Sequence, residues 1–293
     1  MDNHDFLTSD EIRSLVPIRS EKAHKGTCGR LLIVAGSSTM MGAALLCAKA
    51  AFRSGVGMVY LASGSSFVHQ LVLELPELIV LPLTEESGNY GAMALEELKS
   101  YISKYEFSSV LIGPGLGQDK ATKVMIKSFS CIVAERGIAG VIDADAFYAL
   151  DPELFVSFPM NSYVLTPHPK EFSVFSGLTY SDDQRQLLSE NLAQSIQQII
   201  VLKGHQSIIT YAGTSVINPT GNSGMATAGS GDVLSGIIAG FIGQGVMACD
   251  AAYLGVYLHG LAGDIAASLL GEHSVLASDL IDRFPSALKE VMK

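Results

Sequence analysis

Apolar residues are grouped into short runs along the chain, and glycine or polar residues stand at the ends of these runs. Most runs are uninterrupted rather than alternating with polar residues, which is typical of strands that are covered on both faces. The predicted strands lie at 31–35, 58–62, 78–83, 110–112, 141–143, 162–165, 199–203, 208–211 and 215–217. Helical periodicity between the runs predicts helices at 43–54, 92–105, 121–134, 181–198, 233–242 and 251–270.

The order of these elements predicts the fold class. Strands that alternate with helices form a mainly parallel sheet with helices on both sides, that is, a three-layer α/β/α fold. The last two strands are separated only by residues 212–214, and we expect them to add an antiparallel hairpin to that sheet. No repeat, low-complexity block or linker divides the chain. We therefore expect one domain over residues 1–293, with a mobile N-terminal extension of about twenty residues.

The charge balance excludes some classes of partner. The chain has 29 acidic and 19 basic side chains and a net charge of −10, so we expect neither a general nucleic-acid binder nor a protein of anionic membranes. Charged residues make up only 16% of the chain, and the mean hydropathy is +0.33. Such a composition excludes a disordered polyelectrolyte and indicates a well-buried globular protein.

The cysteines and the apolar segments indicate the cellular compartment in which we expect the protein. Cys28, Cys47, Cys131 and Cys249 form no C-x-x-C pair, and we expect four buried free thiols, as suits a reducing cytoplasm. Acidic residues interrupt the N-terminal segment, so no signal peptide is expected. Residues 233–249 are uncharged but short and rich in glycine, which predicts a core helix rather than a membrane span.

Polar or glycine-rich turns follow five of the predicted strands. These turns begin at Gly36, Gly113, Asp143, Thr166 and Lys203. Because ligands of open α/β sheets bind outside the carboxyl ends of the strands, the five turns together predict a ligand site at that edge.

The segment 218–236, NPTGNSGMATAGSGDVLSG, is the most informative in the chain. Its glycines allow a close approach of the backbone to a ligand. An apolar helix begins just after Gly231, so the N–H groups of residues 228–232 are expected to form an anion site. Asp232 is the only formal charge between Lys203 and Asp250.

Asp232 has two interpretations. A carboxylate at this position can cap the helix, which stabilises by about 1 kcal/mol. It can also act as a general base that takes a proton from a substrate hydroxyl while the N–H groups hold a transferring phosphoryl group. The glycine density and the charge-free surroundings favour the base.

These residues also carry a resemblance. Gly229-Ser230-Gly231-Asp232 resembles the anion-hole motif of the ribokinase-like superfamily, and the chain as a whole resembles its ADP-dependent NAD(P)H-hydrate dehydratases. Ala228 and Ser230 stand where that family usually has Gly and Thr. The matching blocks are HKGTCGRLLIVAGS (24–37), GAALLCAKAAFRSGVG (42–57), IGPGLG (112–117), IDADA (142–146), TPHPKEF (166–172), VLKG (201–204) and the glycine segment.

The resemblance implies a ribokinase-like fold and a repair reaction. Hydrated NADH or NADPH would be phosphorylated on its hydroxyl by ADP or ATP with Mg²⁺, and loss of phosphate would restore the reduced cofactor. Asp232 would be the base, and Gly229, Ser230 and Gly231 would belong to the catalytic anion hole. The hydrate would contact Ala43, Gly115, His168 and Asp232.

The nucleotide would contact Gly231 and the segment Lys203, Gly204, His205, Gln206 and Ser207. Glu171 resembles the acidic residue that organises Mg²⁺ indirectly. Relatives form homo-oligomers, so the resemblance also implies a homo-oligomer, with a tetramer as one form. In some relatives a second domain epimerises the hydrated cofactor. We expect no such domain here, because too few residues precede the first predicted strand.

Several alternatives stay open at this point. A small-molecule kinase acting on a vitamin-precursor or sugar hydroxyl would use the same Asp232 and anion hole, and a nucleotide sensor would keep the pocket without needing a base.

Asp143 and Asp145 are expected to point to one side of an extended segment, where they would hold a hydrated metal or cap a helix. Tyr253, Tyr257 and His259 are expected in the core. The sequence decides neither between ADP and ATP nor between the two hydrates.

The spacing of Gly113-Pro114-Gly115-Leu116-Gly117 does not match a dinucleotide fingerprint. A hydride-transferring dehydrogenase is therefore not expected.

Overall fold

A nine-stranded sheet forms the centre of the molecule in the computed structural model, which describes residues 6–293. Its strand order is β11-β10-β9-β8-β7-β6-β1-β2-β3. All neighbours from β3 to β9 are parallel, and β10 is antiparallel to both β9 and β11. The strands are β1 (Arg30–Val34), β2 (Met58–Gly64), β3 (Ile79–Leu83), β4 (Glu85–Glu86), β5 (Asn89–Tyr90), β6 (Ser109–Ile112), β7 (Ala139–Ile142), β8 (Tyr163–Leu165), β9 (Ile199–Leu202), β10 (Ile208–Tyr211) and β11 (Thr214–Ile217), of which β4 and β5 form a separate hairpin.

Helices cover both faces of the sheet. They are α1 (Ser9–Leu15), α2 (Met41–Ser54), α3 (Val68–Leu71), α4 (Ala92–Lys104), α5 (Lys120–Glu135), α6 (Pro152–Phe155), α7 (Pro169–Ser176), α8 (Arg185–Ile196), α9 (Ser230–Gly243), α10 (Ala248–Leu270) and α11 (Ala277–Val291). One hydrophobic core lies between the sheet and α2, α9, α10 and α11, and a second lies between the opposite face and α4, α5, α7 and α8. The predicted three-layer α/β class and the hairpin are confirmed.

Helices α2 and α9 pack unusually closely, because two glycines of α9 face α2. A Cβ atom at Gly236 would lie 2.4 Å from the carbonyl oxygen of Cys47, and one at Gly240 would lie 2.1 Å from Oγ of Ser54. No side chain fits between the two backbones. This contact fixes the N-terminus of α9, and with it Asp232, relative to the sheet.

The N-terminal extension differs from the mobile segment that we expected. Thr8 and Glu11 form a capping box at the start of α1, and Ile12 is completely buried. The Arg13 guanidinium donates to the carbonyl of Val291 at 2.8 Å, and Leu7 donates its N–H to the carbonyl of Ile217 at 3.1 Å. Residues 6–15 are therefore docked on α11 and on the outer strand β11.

Two further expectations need correction. Cys47 and Cys249 are buried free thiols, but Cys28 and Cys131 are partly exposed. The apolar segment 233–249 is divided between α9 and α10. By length and composition alone, α10 is long and apolar enough to cross a membrane. Its packing against α9 and α11 accounts for that apolar character, since 50% of its most apolar window is buried inside the protein.

Candidate active site

A cleft of about 750 Å³ opens at the carboxyl edge of the sheet. The turn after β8, the turn after β9, the loop 218–226 and the N-terminus of α9 line it. Among the residues that the sequence predicts for the site, the cleft lining contains His168, Lys203, Gly204, His205, Gln206, Ser207, Ser230 and Gly231. The residues predicted to bind the nucleotide and two residues of the predicted anion hole thus line one cavity.

The glycine segment forms a helix N-terminus with free donors. Gly229 has φ +90°, a left-handed conformation that favours glycine, and α9 begins at the next residue. Within the part of the chain that the structure describes, the N–H groups of Gly231 and Asp232 have no hydrogen-bond acceptor, whereas Ser230 donates its N–H to the carbonyl of Thr227 at 3.3 Å. Free N–H groups at the positive end of a helix bind anions.

Lys203 lies next to this helix end, where it is held by two carboxylates. Its Nζ atom lies 2.8 Å from Oδ1 of Asp143 and 3.6 Å from Oε2 of Glu171. A Cβ atom at Gly231 would lie 3.3 Å from Nζ, so the ammonium group reaches the anion hole. Burial lowers the pKa of Lys203, but the charges of Asp143 and Glu171 outweigh burial and raise it. The side chain therefore stays cationic beside the free N–H groups.

Asp232 is half-buried in the first turn of α9. Burial, with the negative charge of Asp143 as the next cause, raises the pKa of Asp232 from 3.8 to about 7, and Lys203 opposes this rise. The N-cap of α9 is Gly229 and Asp232 is the third residue of the helix, so Asp232 is not the N-cap residue, which disfavours the helix-cap interpretation. A carboxylate with a pKa close to neutral in a cleft is suited to exchange a proton with a ligand.

His168 and Glu171 form the N-terminus of α7. The imidazole Nδ1 accepts from the N–H groups of Lys170 and Glu171, and the Glu171 carboxylate accepts from the N–H of His168 at 2.8 Å. Burial raises the pKa of Glu171 against the effect of Lys203. His168 therefore holds the helix end, while 45% of its side chain stays exposed at the cleft.

Ala43 and Gly115 lie together beside the cleft rather than in its lining. Gly115 has φ +65°, and a Cβ atom there would lie 3.0 Å from the Cβ atoms of both Ala43 and Met40. Gly229 approaches the same helix, since its Cβ would lie 2.4 Å from Leu46 Cδ1. The predicted hydrate-contacting residues and the glycine segment thus meet at the N-terminal half of α2.

The expected arrangement of Asp143 and Asp145 is wrong. Ala144 between them has φ +52°, so the two residues do not lie on an extended segment. Asp143 is 1% exposed and pairs with Lys203, whereas Asp145 accepts from the N–H of Gly117 at 2.8 Å. The sequence places Asp143 in one of the five turns that predict the site, but its ion pair with Lys203 joins residues 60 positions apart and has no local signal.

His259 is buried as expected, but it also lines the cleft. Its Nε2 lies 3.4 Å from Oγ of Ser230, and burial lowers the pKa of His259 to about 4, so the imidazole is neutral. Tyr253 and Tyr257 pack on the core as expected. Within residues 6–293, no three His, Cys, Asp or Glu side chains are grouped so that they could hold a metal ion by themselves.

Known proteins resemble this chain over nearly its whole length. The family model for NAD(P)H-hydrate dehydratase matches residues 31–286. The ADP-dependent (S)-NAD(P)H-hydrate dehydratase of Bacillus subtilis is 30% identical over 98% of this chain and 99% of its own length. The crystal structure of the ADP/ATP-dependent NAD(P)H-hydrate dehydratase from B. subtilis, co-crystallised with ATP/Mg²⁺, superimposes with a TM-score of 0.85 at 29% identity, covering 99% of this chain and 100% of that one.

A longer relative matches in the same way. The bifunctional NAD(P)H-hydrate repair enzyme Nnr of Moorella thermoacetica is 39% identical over 99% of this chain, which covers 54% of that enzyme. The chain spans about half the length of such bifunctional relatives. Solved structures of the ribokinase-like superfamily share the architecture, which confirms the predicted fold. The match of the family model and the 30% identity to a dehydratase over nearly the full length of both chains show that this chain belongs to the NAD(P)H-hydrate dehydratase family.

Proposed function

We propose that this protein removes water from hydrated NADH or NADPH at the expense of a nucleotide phosphoanhydride, with ADP as the donor. The observation that carries the proposal is the half-buried Asp232, with its raised pKa, beside free N–H groups at the start of α9 and the Lys203 ammonium. Family membership favours this reaction over phosphorylation of a vitamin precursor or a sugar.

The proposed first step transfers a phosphoryl group. Asp232 takes the proton of the hydrate hydroxyl, the hydroxyl oxygen forms a bond to the terminal phosphorus of ADP, and the bond from that phosphorus to the AMP oxygen breaks. The N–H groups of Gly231 and Asp232 stabilise negative charge on the phosphoryl oxygens. In this step Lys203 neutralises charge at the same place.

The proposed second step is an elimination. The carbon–oxygen bond of the phosphorylated hydrate breaks, its electron pair leaves with the phosphate, and the neighbouring carbon loses a proton to solvent. The products are NADH or NADPH, AMP, phosphate and a proton. Phosphate is a far better leaving group than hydroxide, and phosphorylation by the nucleotide therefore makes the elimination easier.

The other predicted residues have supporting roles in this proposal. Gly204, His205, Gln206 and Ser207 hold the nucleotide, and Ala43, Gly115 and His168 hold the hydrate. Mg²⁺ would neutralise the nucleotide phosphates when bound. Because Glu171 is occupied by His168 and Lys203, it would hold the ion through water rather than directly.

The compartment and the assembly are part of the proposal. Free thiols and the absence of disulfides among residues 6–293 support a reducing cytoplasm. A homo-oligomer, and a tetramer in particular, stays a prediction from the family resemblance.

The test follows the absorbance of the reduced nicotinamide after the protein and Mg²⁺ are added to hydrated NADH with ADP, with ATP or with neither. We expect a nucleotide-dependent rise that disappears in Asp232→Asn, with a loss of about 10²-fold or more, while calorimetry shows retained ADP binding. Asp250→Asn on α10 is the matched control and should keep full activity. A stable phosphorylated product would instead establish the kinase, and full activity of Asp232→Asn would exclude Asp232 as the base.

A further inference from the structure

The loop between β11 and α9 forms one wall of the cleft. Gly221 in this loop has φ +104°, and the strand–loop–helix connection contains no regular structure apart from one short turn at Ser223–Met225. The cleft-lining residues of this wall are Thr220, Gly221, Asn222, Ser223, Met225 and Ala226. The two ends of this wall are held by other contacts: Oγ1 of Thr220 donates to the carbonyl of Tyr257 at 2.8 Å, and the turn at Ser223–Met225 has backbone hydrogen bonds of its own. Between them, Gly221 and Asn222 take their support from outside the loop.

Asp264 of α10 supplies that support from behind the wall. Its Oδ2 accepts from the N–H of Gly221 at 2.9 Å, and its Oδ1 accepts from Nδ2 of Asn222 at 2.8 Å. Oδ1 of Asn222 in turn accepts from the N–H of Gly224 at 2.9 Å. One carboxylate thus fixes three residues of the loop directly or through Asn222.

The surface of α10 next to Asp264 is shaped for the loop. A Cβ atom at Gly260 would lie 2.2 Å from Oγ1 of Thr220, and one at Gly263 would lie 2.3 Å from Sδ of Met225. Within residues 6–293, Asp264 forms no ion pair. The hydrogen bonds that its carboxylate accepts from these residues come from the loop, and hydrogen bonds to a charged acceptor are about twice as strong as neutral ones.

We propose that Asp264 is a positioning residue for the nucleotide: it holds the cleft wall of residues 220–226 in the conformation that binds ADP, without touching the reacting atoms. This inference rests on the proposed function only in taking the cleft as the nucleotide site. Asp232 and Lys203 do not contact Asp264. A change at Asp264 therefore weakens nucleotide binding and leaves the chemical step intact.

The experiment compares the wild-type protein with Asp264→Asn. The asparagine side chain keeps one acceptor oxygen but has an NH2 donor in place of the other, so one of the two bonds from the loop is lost and a donor faces a donor. We expect the Kd and the KM for ADP to rise roughly tenfold, with kcat at saturating ADP and the KM for the hydrate unchanged. Asp250→Asn, the same substitution on the same helix, should leave the Kd for ADP unchanged.

A double-mutant cycle with Asn222→Ala tests the path of the effect. If Asp264 acts through Asn222, Asp264→Asn should weaken ADP binding less in the Asn222→Ala background than in the wild type. An unchanged Kd for ADP in Asp264→Asn, or a fall in kcat with an unchanged KM, would overturn the proposal. Strictly additive effects in the cycle would exclude the path through Asn222 and leave the direct bond to the N–H of Gly221 as the contact that acts.

A second variant tests the same two bonds if Asp264→Asn does not fold. Asp264→Ala removes the carboxylate without introducing a donor, and we expect a higher Kd for ADP. An unchanged Kd would overturn the proposal. Because the Kd is measured by calorimetry, it does not depend on turnover: wild-type protein that binds ADP but leaves the hydrate unchanged would refute the proposed function and leave the role of Asp264 under test.

Discussion

Replacing Asp232 with asparagine should stabilise the folded protein in mild alkali while it removes the proposed catalytic base. The ionised carboxylate is half-buried, and the nearby charge of Asp143 opposes its ionisation. Asparagine has nearly the same shape and carries no charge. The folded state is therefore relieved of an unfavourable charge that the unfolded chain exposes to water.

The magnitude follows from the pKa of Asp232, which is about 7 in the folded state against an ordinary 3.8. Each pKa unit corresponds to about 1.4 kcal/mol, so the ionised carboxylate costs the folded state at most about 4 kcal/mol above roughly pH 8. Asp232 is only partly buried, and screening by water reduces this cost to about 2 kcal/mol. For a chain of this size the gain in Tm is about 4 °C.

The sign of the pH dependence distinguishes this cause from a general effect of the substitution. A carboxyl group whose pKa is raised by folding favours the folded state fully below its unfolded pKa, and this contribution is lost as the pH rises through about 7. The advantage of Asp232→Asn should therefore be largest near pH 8 and nearly vanish near pH 4.

Thermal unfolding of the two proteins across this pH range measures the difference. Asp250→Asn controls for the loss of one negative charge and should not show the same pH dependence. The reasoning would be refuted if Asp232→Asn and the wild-type protein had the same Tm near pH 8, or if the difference between their Tm values increased as the pH fell.

Three further predictions concern neighbouring groups. Turnover at saturating substrates should rise with pH up to about 7, where Asp232 ionises, and then level off; a profile that stays flat through this range would contradict the base assignment. Lys203→Met should lower the free energy of unfolding by about 3–5 kcal/mol, measured by denaturant titration, since its two buried carboxylate partners lose their cation. A decrease in the free energy of unfolding below about 1 kcal/mol would show that water screens the charges of Asp143 and Glu171. Gly113→Ala should lower the yield of folded protein, because Gly113 has φ +131° and a Cβ there would lie 1.8 Å from the carbonyl oxygen of Asp143. Gly117→Ala, with a positive φ but no atom within 4 Å of its Cβ, is the control, and equal yields from the two variants would contradict the steric argument.

The sheet could be predicted from the sequence because its strands are buried on both faces. Leu31 and Ile33 of β1 point to one hydrophobic core, and Leu32 and Val34 point to the other. An uninterrupted apolar run is the direct result of this arrangement. Each of the nine predicted strands is present, with ends that differ by a few residues.

Helix α11 was not among the predicted elements. Pro285 lies inside it, and a proline within a helix usually marks its end in a sequence. Leu280, Ile281 and Phe284 are nevertheless spaced for one helix face and are buried against α10. Here the tertiary contact outweighs the local preference.

The site was predictable where its signal is local and was missed where it depends on distant contacts. The glycines around Asp232 and the lack of other charges nearby can be read from one segment. The role of Asp143 depends on a left-handed backbone at Ala144, which no sequence rule assigns to alanine. The contact of Asp264 with Gly221 joins residues 43 positions apart.

The docked N-terminal residues have a consequence for aggregation. An open sheet edge is a template for pairing with another chain. The edge strand β3 carries Pro82, which has no N–H, and the carbonyl of Pro82 accepts from the Tyr101 hydroxyl at 2.8 Å. The opposite edge strand has no proline; Phe6 pairs with Ile217 there instead. Removal of the first residues through Leu7 would therefore uncover the end of β11 at Ile217 without changing the residues of the cleft, and we expect the shortened protein to associate strand to strand more readily.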